Sequence, residues 1–332
     1  MTESEIRTLW EAERPIYQAW SDYVRDRLVA RLTELLAQQE PPGKISEFLK
    51  LPVQPRLKDA KSLVDKALFR DKKYGDPYAE ITDKAGMRFV VLLSSHIRLV
   101  EQAILDDQDW EGSKDRDYEE ERRARPLEFS YQSLHYVVRA SRDIRLGAVT
   151  VLKGTACELQ IRTLLQHAHS ELTHDTIYKP KKAASPEVNR AVAKSMALIE
   201  AADDFFELVM RDLQSASKPV RDAIDALSRA YVRHIGIRPE TEKSNVVVLD
   251  AFAEQMPADL TGQIESLILS KGYISERIRS RFDTHHLFRQ PVILFAYLMA
   301  VSRPAEVKDI WPLTTAELKL VFLDLGISYD NL

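Results

Sequence analysis

Residues 157–179, CELQIRTLLQHAHSELTHDTIYK, restrict the fold more than any other stretch of the chain. Apolar and polar residues alternate from Cys157 to Ile161, which predicts a strand. Glu158 and Gln160 then share one face, with Arg162 two residues further along it. At Arg162 and Thr163 the spacing turns helical, and the helix carries His167, His169, Glu171, His174, Asp175 and Lys179. Helical geometry puts Glu171 and Asp175 on one face, and His167, Glu171 and His174 roughly on another. A strand face of Glu, Gln and Arg is a poor core and a good wall for a charged ligand. A solvated helix beside an ordinary strand has the same pattern, so this stretch alone leaves both readings open.

The segments before it supply more of the same chemistry. Apolar residues from Trp10 to Leu35 recur at helical spacing, predicting a core-facing helix over Ser4–Gln39 that breaks or restarts at Pro15. Arg56-Leu57-Lys58 reads as the end of a short strand. Lys58, Ser62 and Lys66 follow at intervals of four, a line that suits either a polyphosphate or solvent. Asp83 and Arg88 bracket the entrance to an apolar strand, Phe89–Leu93, and fit a metal-and-phosphate site or a structural ion pair. Residues 106–128 are so densely charged that they read as a mobile loop without a core of its own. The strand after that loop puts Tyr131, Ser133 and His135 on one face. Another strand is expected over Leu146–Lys153.

Strand and helix thus alternate through the middle of the chain, which predicts an α+β domain: a mixed β-sheet flanked by helices, with N-terminal helices, over residues 1–215. A long helical pattern from Val188 to Leu213 leads to an expected linker at Ser215–Pro219. Residues 218–332 form a helical C-terminal region whose apolar runs, Pro291–Val301 and Leu318–Leu325, must be buried against something. A homo-oligomer or a protein partner is one way to do so.

Composition narrows the partners. With 47 basic and 51 acidic side chains the net charge is −4, which argues against a general grip on nucleic acid but not against a local patch. One cysteine excludes an internal disulfide and a cysteine-built zinc cage, and fits a reducing, cytoplasmic setting. No apolar run reaches the roughly 20 residues that span a bilayer, so no membrane role is expected. Adjacent His285 and His286 diverge on a helix and do not suggest a metal site.

Four blocks in order, RLKDAKSLVDK, ITDKAGMRFVV, YQSLHYVV and ELQIRTLLQHAHSELTHDTIYK, resemble the synthetase domain of the RelA/SpoT family, the (p)ppGpp synthetases. The resemblance covers about residues 50–210. It implies a nucleotidyltransferase-like fold and transfer of pyrophosphate from ATP to the ribose 3′-hydroxyl of GDP or GTP, releasing AMP. By motif, Arg56 and Arg88 would flank adenine, and Lys58, Ser62 and Lys66 would hold the ATP phosphates. Asp83 and Glu158 would hold Mg²⁺, with Glu158 placed to take the hydroxyl proton. Tyr131 would stack on guanine, His135, Gln160 and Arg162 would line the acceptor site, and His174, Tyr178 and Lys179 would support it. With Arg56 so early, the resemblance implies a synthetase without the family's hydrolase domain.

The sequence departs from the family pattern on the acceptor side. Ser130 stands where glycine is usual, His169-Ser170 where Trp-Ala is common, and Thr173 where glutamate is common. Arg122, Arg123 and Arg125 replace a lysine-containing run. Two alternatives therefore stand beside the alarmone synthetase: a toxic relative that modifies the 3′ end of tRNA, and a catalytically decayed nucleotide-binding regulator.

Overall fold

The computed structural model describes residues 1–39, 41–69, 75–129, 133–173 and 185–331. The chain divides into two compact units, Met1–Val209 and Met210–Leu332.

Unit 1 is a five-stranded mixed sheet with helices packed on it. Its strands are β1 (Arg56–Leu57), β2 (Ala85–Val91), β3 (Trp110–Arg116), β4 (Leu134–Ala140) and β7 (Ala156–Thr163), in the spatial order β1-β2-β7-β4-β3. β7 is central, parallel to β2 and antiparallel to β4. Met87, Phe89, Leu134, Tyr136, Cys157, Leu159 and Ile161 are buried in one core cluster with Trp20, Val24 and Leu28 of α1 (Glu3–Ala37) and Ile97 and Val100 of α4 (Ser94–Leu105). Two short helices, α2 (Ile45–Phe48) and α3 (Ala60–Leu68), lie between α1 and β2 in the chain.

Several expectations need correction. α1 starts at a capping box between Thr2 and Glu5 and runs unbroken through Pro15. Pro15 is exposed, so water can satisfy the carbonyl that its missing N–H leaves over, while buried Trp10 and Trp20 anchor the helix on either side. Residues 106–128 are not a structureless loop. They contain β3 and α5 (Tyr118–Ala124), pinned by buried Trp110 and Tyr118. β3 is an edge strand, and its exposed charges are a usual guard against edge pairing, which is why its composition resembles a loop. The expected strand over Leu146–Lys153 is a hairpin of β5 (Ile144–Leu146) and β6 (Val149–Val151), turned at Gly147 with φ of +57°.

After α6 (Leu164–Thr173), α7 (Pro186–Ile235) runs through the expected linker at 215–219, with Pro219 inside the helix. Unit 2 is helical: α8 (Lys243–Ala251), α9 (Leu260–Ser270), α10 (Tyr273–Arg281), α11 (His286–Arg289), α12 (Val292–Ser302), α13 (Pro304–Ile310) and α14 (Thr315–Asp324). Every side chain of α12 from Val292 to Ala300 is buried, as expected of a helix apolar all round. The runs at Pro291–Val301 and Leu318–Leu325 are therefore largely buried within unit 2, together with Leu227 and Tyr231 of α7, and need no partner to cover them. Among the described residues no helix is long and apolar enough to cross a membrane.

Candidate active site

Sheet register assembles the site on the face opposite the core. Gly86 lies beside Glu158, Arg88 beside Gln160 and Val90 beside Arg162, while on the other flank His135 lies beside Gln160. Neighbours in register share a face, so Arg88, Glu158, Gln160, Arg162 and His135 converge there. Cys157 points into the core, where burial raises its thiol pKa far above the usual range and removes it from the chemistry.

Glu158 is held by a relay along its own strand. The Arg162 guanidinium donates to Gln160 Oε1, and Gln160 Nε2 donates to Glu158 Oε2 at 2.9 Å. His135 Nδ1 lies 3.5 Å from Glu158 Oε1. Burial raises the Glu158 carboxyl, but His135 and Gln160 outweigh burial and the nearby Asp83 charge, keeping it below its usual value. Arg162 is only 1 % exposed, so it acts on a ligand chiefly by orienting Gln160.

At the other end Asp83 accepts an ion pair from Lys58 Nζ at 2.7 Å and another from Lys66 Nζ at 2.8 Å. Burial pushes Asp83 up, and the two ammonium groups overcome it and hold the carboxyl low. The line of Lys58, Ser62 and Lys66 is only partly realised. α3 starts at Ala60 with Asp59 as its cap, so Lys58 precedes the helix, and exposed Ser62 is engaged with Asp59. Arg56 is exposed on β1 beside Gly86. Arg88 Nη1 pairs with Glu171 Oε1 of α6 at 2.8 Å. Tyr131, His174, Tyr178 and Lys179 lie outside the described residues.

The two carboxylates fit Mg²⁺. Glu158 feels the Asp83 charge, yet both carboxyls are held below their usual values, and a hard cation would relieve that like-charge contact. Mg²⁺ binds through one or two carboxylates and fills its shell with water and substrate phosphates. No group of three or more acidic, histidine or cysteine ligands suited to a metal occurs among the described residues.

Beside His135, which pairs in register with Arg116, a cavity of about 540 Å³ is lined by Arg116, Tyr118, Glu121 and Arg125 among others. The arginines of this segment already meet carboxylates: Arg122 with Glu200 at 3.1 Å, Arg123 with Glu119 at 3.7 Å and Arg125 with Glu128 at 3.3 Å.

Some contributors escape a motif reading. A Cβ on Gly86 would lie 3.0 Å from the Glu158 carbonyl oxygen, so the close approach of β2 to Glu158 depends on glycine. A lone glycine inside a strand pattern is the available signal. Lys84 is 3 % exposed, with Nζ 3.6 Å from the Tyr78 ring centre and 3.2 Å from the Tyr17 hydroxyl. Tyr78 precedes it closely in the chain, but Tyr17 lies 67 residues away. His167 sits near Arg162 and Arg88, and burial followed by those charges keeps its imidazole pKa low.

The family model described as a region found in RelA / SpoT proteins matches residues 55–183. No curated protein matches the chain. Among solved structures, small alarmone synthetase 1 from Bacillus subtilis aligns at 20 % identity and a TM-score of 0.50, over 62 % of this chain and 98 % of its own. The same B. subtilis protein bound to its product pppGpp aligns at 20 % identity and a TM-score of 0.49, over 62 % and 99 %. Residues 55–183 thus match the region found in RelA / SpoT proteins, and the chain shares the fold of a small alarmone synthetase.

Proposed function

We propose that the chain is a pyrophosphokinase that moves the β,γ-pyrophosphoryl group of ATP to the 3′-hydroxyl of GDP or GTP, releasing AMP. One arrangement carries this reading. Glu158 stands on the sheet face among His135, Gln160 and Arg162, and a second carboxylate, Asp83, just ahead of β2 gathers Lys58 and Lys66, all inside the span that matches the RelA/SpoT region.

Lys58 and Lys66 neutralise Asp83 in the ligand-free protein and serve the donor phosphates when ATP binds. Arg56 and Arg88 flank the adenine, where guanidinium planes stack as well as pair. His135 and Gln160 orient Glu158, which accepts the proton of the attacking hydroxyl. The ribose oxygen bonds to the β-phosphorus as the bond to the bridging α–β oxygen breaks, and that oxygen leaves on AMP. Mg²⁺ held by Asp83 and Glu158 supplies charge neutralisation for the transferring phosphates. The cavity beside His135 has the size and polarity for a nucleotide acceptor. Motif correspondence alone gives Tyr131 the guanine and His174, Tyr178 and Lys179 a supporting role.

A nucleotide acceptor is favoured over tRNA because Arg122, Arg123 and Arg125 each already meet a carboxylate, at Glu200, Glu119 and Glu128, and so offer less unspent positive charge to a polyanion. Purified protein given ATP labelled in the β,γ-pyrophosphate, with GDP, GTP or tRNA in parallel, decides the matter. Label on guanine nucleotide with equimolar AMP is expected. Label on tRNA alone, or no AMP with any acceptor, overturns the reading.

A further inference from the structure

The turn that ends the catalytic strand is held by a residue well beyond the RelA/SpoT region. Thr163, next to Arg162, caps α6: its Oγ1 accepts from Gln166 N at 3.2 Å, and its own N–H donates to Gln166 Oε1 at 3.1 Å. The single hydroxyl proton remains, and Thr163 Oγ1 donates it to Asp203 Oδ2 of α7 at 2.8 Å. All three side chains are buried.

Asp203 is an expensive way to hold that proton. It is 3 % exposed, and its Oδ1 has no hydrogen-bond partner among the described residues. The groups facing it come from α5 and α7: Tyr118 and Arg122 from the former, Asp204 and Glu207 from the latter. Arg122 is itself shared with Glu200. Burial, with Asp204 and Glu207 adding to it against Thr163 and Arg122, pushes the carboxyl up to about 6. What the position needs is an acceptor for the Thr163 hydroxyl proton, and one kept at such a cost in burial beside a reaction centre points to a functional demand.

The demand is visible in what the turn carries. On one side it leads to Arg162, which sets Gln160, which sets Glu158. On the other side it starts the helix that bears His167 and Glu171, the partner of Arg88. We propose that Asp203 is a positioning residue of the active site, fixing through the Thr163 hydroxyl the joint from which both the Glu158 relay and the Glu171–Arg88 pair are aimed. This rests on the pyrophosphokinase reading of the site.

The test compares Asp203→Ala, Asp203→Asn and Thr163→Val with the wild-type protein, using ATP and GDP. Asp203→Ala and Thr163→Val are expected to lower kcat on the order of tenfold with little change in KM for ATP, since misaim acts mainly on the chemical step. Asp203→Asn keeps an acceptor for the hydroxyl and is expected to restore most of the rate. The Ala/Val double variant should lose no more than either single one. Full activity of Asp203→Ala at temperatures where it stays folded overturns the proposal, as does failure of Asn to rescue. A wild-type protein that releases no AMP sinks the reaction assignment separately. Positioning is then read from the His167 imidazole NMR signals, which should shift in Asp203→Ala and recover in Asp203→Asn. Unchanged His167 signals in Asp203→Ala would end the positioning role too.

Discussion

Replacing Asp203 by Asn should make unit 1 more stable at neutral pH, and the gain should fade on acidification. The carboxyl sits near 6 in the fold against an ordinary 3.8, because burial opposes its charge. The sign follows from proton binding. A folded-state pKa above the unfolded one means the native protein binds this proton more readily, so folding is penalised above the folded pKa and the penalty is absent below the unfolded one. A difference of about two units corresponds to a penalty of about 3 kcal/mol at pH 8, declining to about 1 kcal/mol at pH 4.5. Asn carries none of it, and the Thr163 hydrogen bond is already included in the raised pKa. The net expectation is a gain of about 3 kcal/mol at pH 8 that falls to about 1 kcal/mol near pH 4.5 and vanishes below the unfolded pKa. Urea unfolding at several pH values measures it. Trp10, Trp20 and Trp110 belong to unit 1 and Trp311 to unit 2, so fluorescence in a Trp311→Phe background follows the right unit. A stability difference that is flat with pH, or that grows on acidification, would refute the reasoning.

Other expectations are simpler. Gly86→Ala places a methyl against the Glu158 carbonyl oxygen, a backbone atom that cannot swing aside, and should cost about 1–3 kcal/mol together with most of the turnover; thermal unfolding and AMP release check both. Glu158→Gln should lower kcat by at least about a hundredfold, as loss of a positioned general base does, while far-ultraviolet circular dichroism stays unchanged. Glu171→Gln removes a half-exposed ion pair and should change stability by under about 1 kcal/mol, yet raise KM for ATP, because Arg88 loses its fixed partner. Nucleotide titration separates that outcome from a purely structural one.

The sheet face was readable because strand alternation is local: Glu158, Gln160 and Arg162 needed only a period of two. The polyphosphate line was half readable. Lys58 and Lys66 do meet, at Asp83, while Ser62 lies in the first turn of α3 against its Asp59 cap. β3 was invisible, since an edge strand guarded by charges has the composition of a loop. Long-range partners left no local trace. Asp203 lies 40 residues from Thr163, and Tyr17 lies 67 from Lys84. The change of spacing at Arg162 and Thr163 marked the turn but gave no sign of its buried anchor.

The single helix α7 also sets an order of assembly. A ribosome delivers the chain from its N-terminus, so β7 and its charged relay emerge well before residue 203 does. Until then the Thr163 hydroxyl lacks its acceptor. A nascent or shortened product that ends with the matched region at residue 183 has all four motif blocks and still lacks that anchor. Carrying the product on to Val209 supplies Asp203, while Leu227 and Tyr231, from the same helix, wait for the core of unit 2. The edge of the recognisable motif and the edge of a finished catalytic unit are different places in this chain.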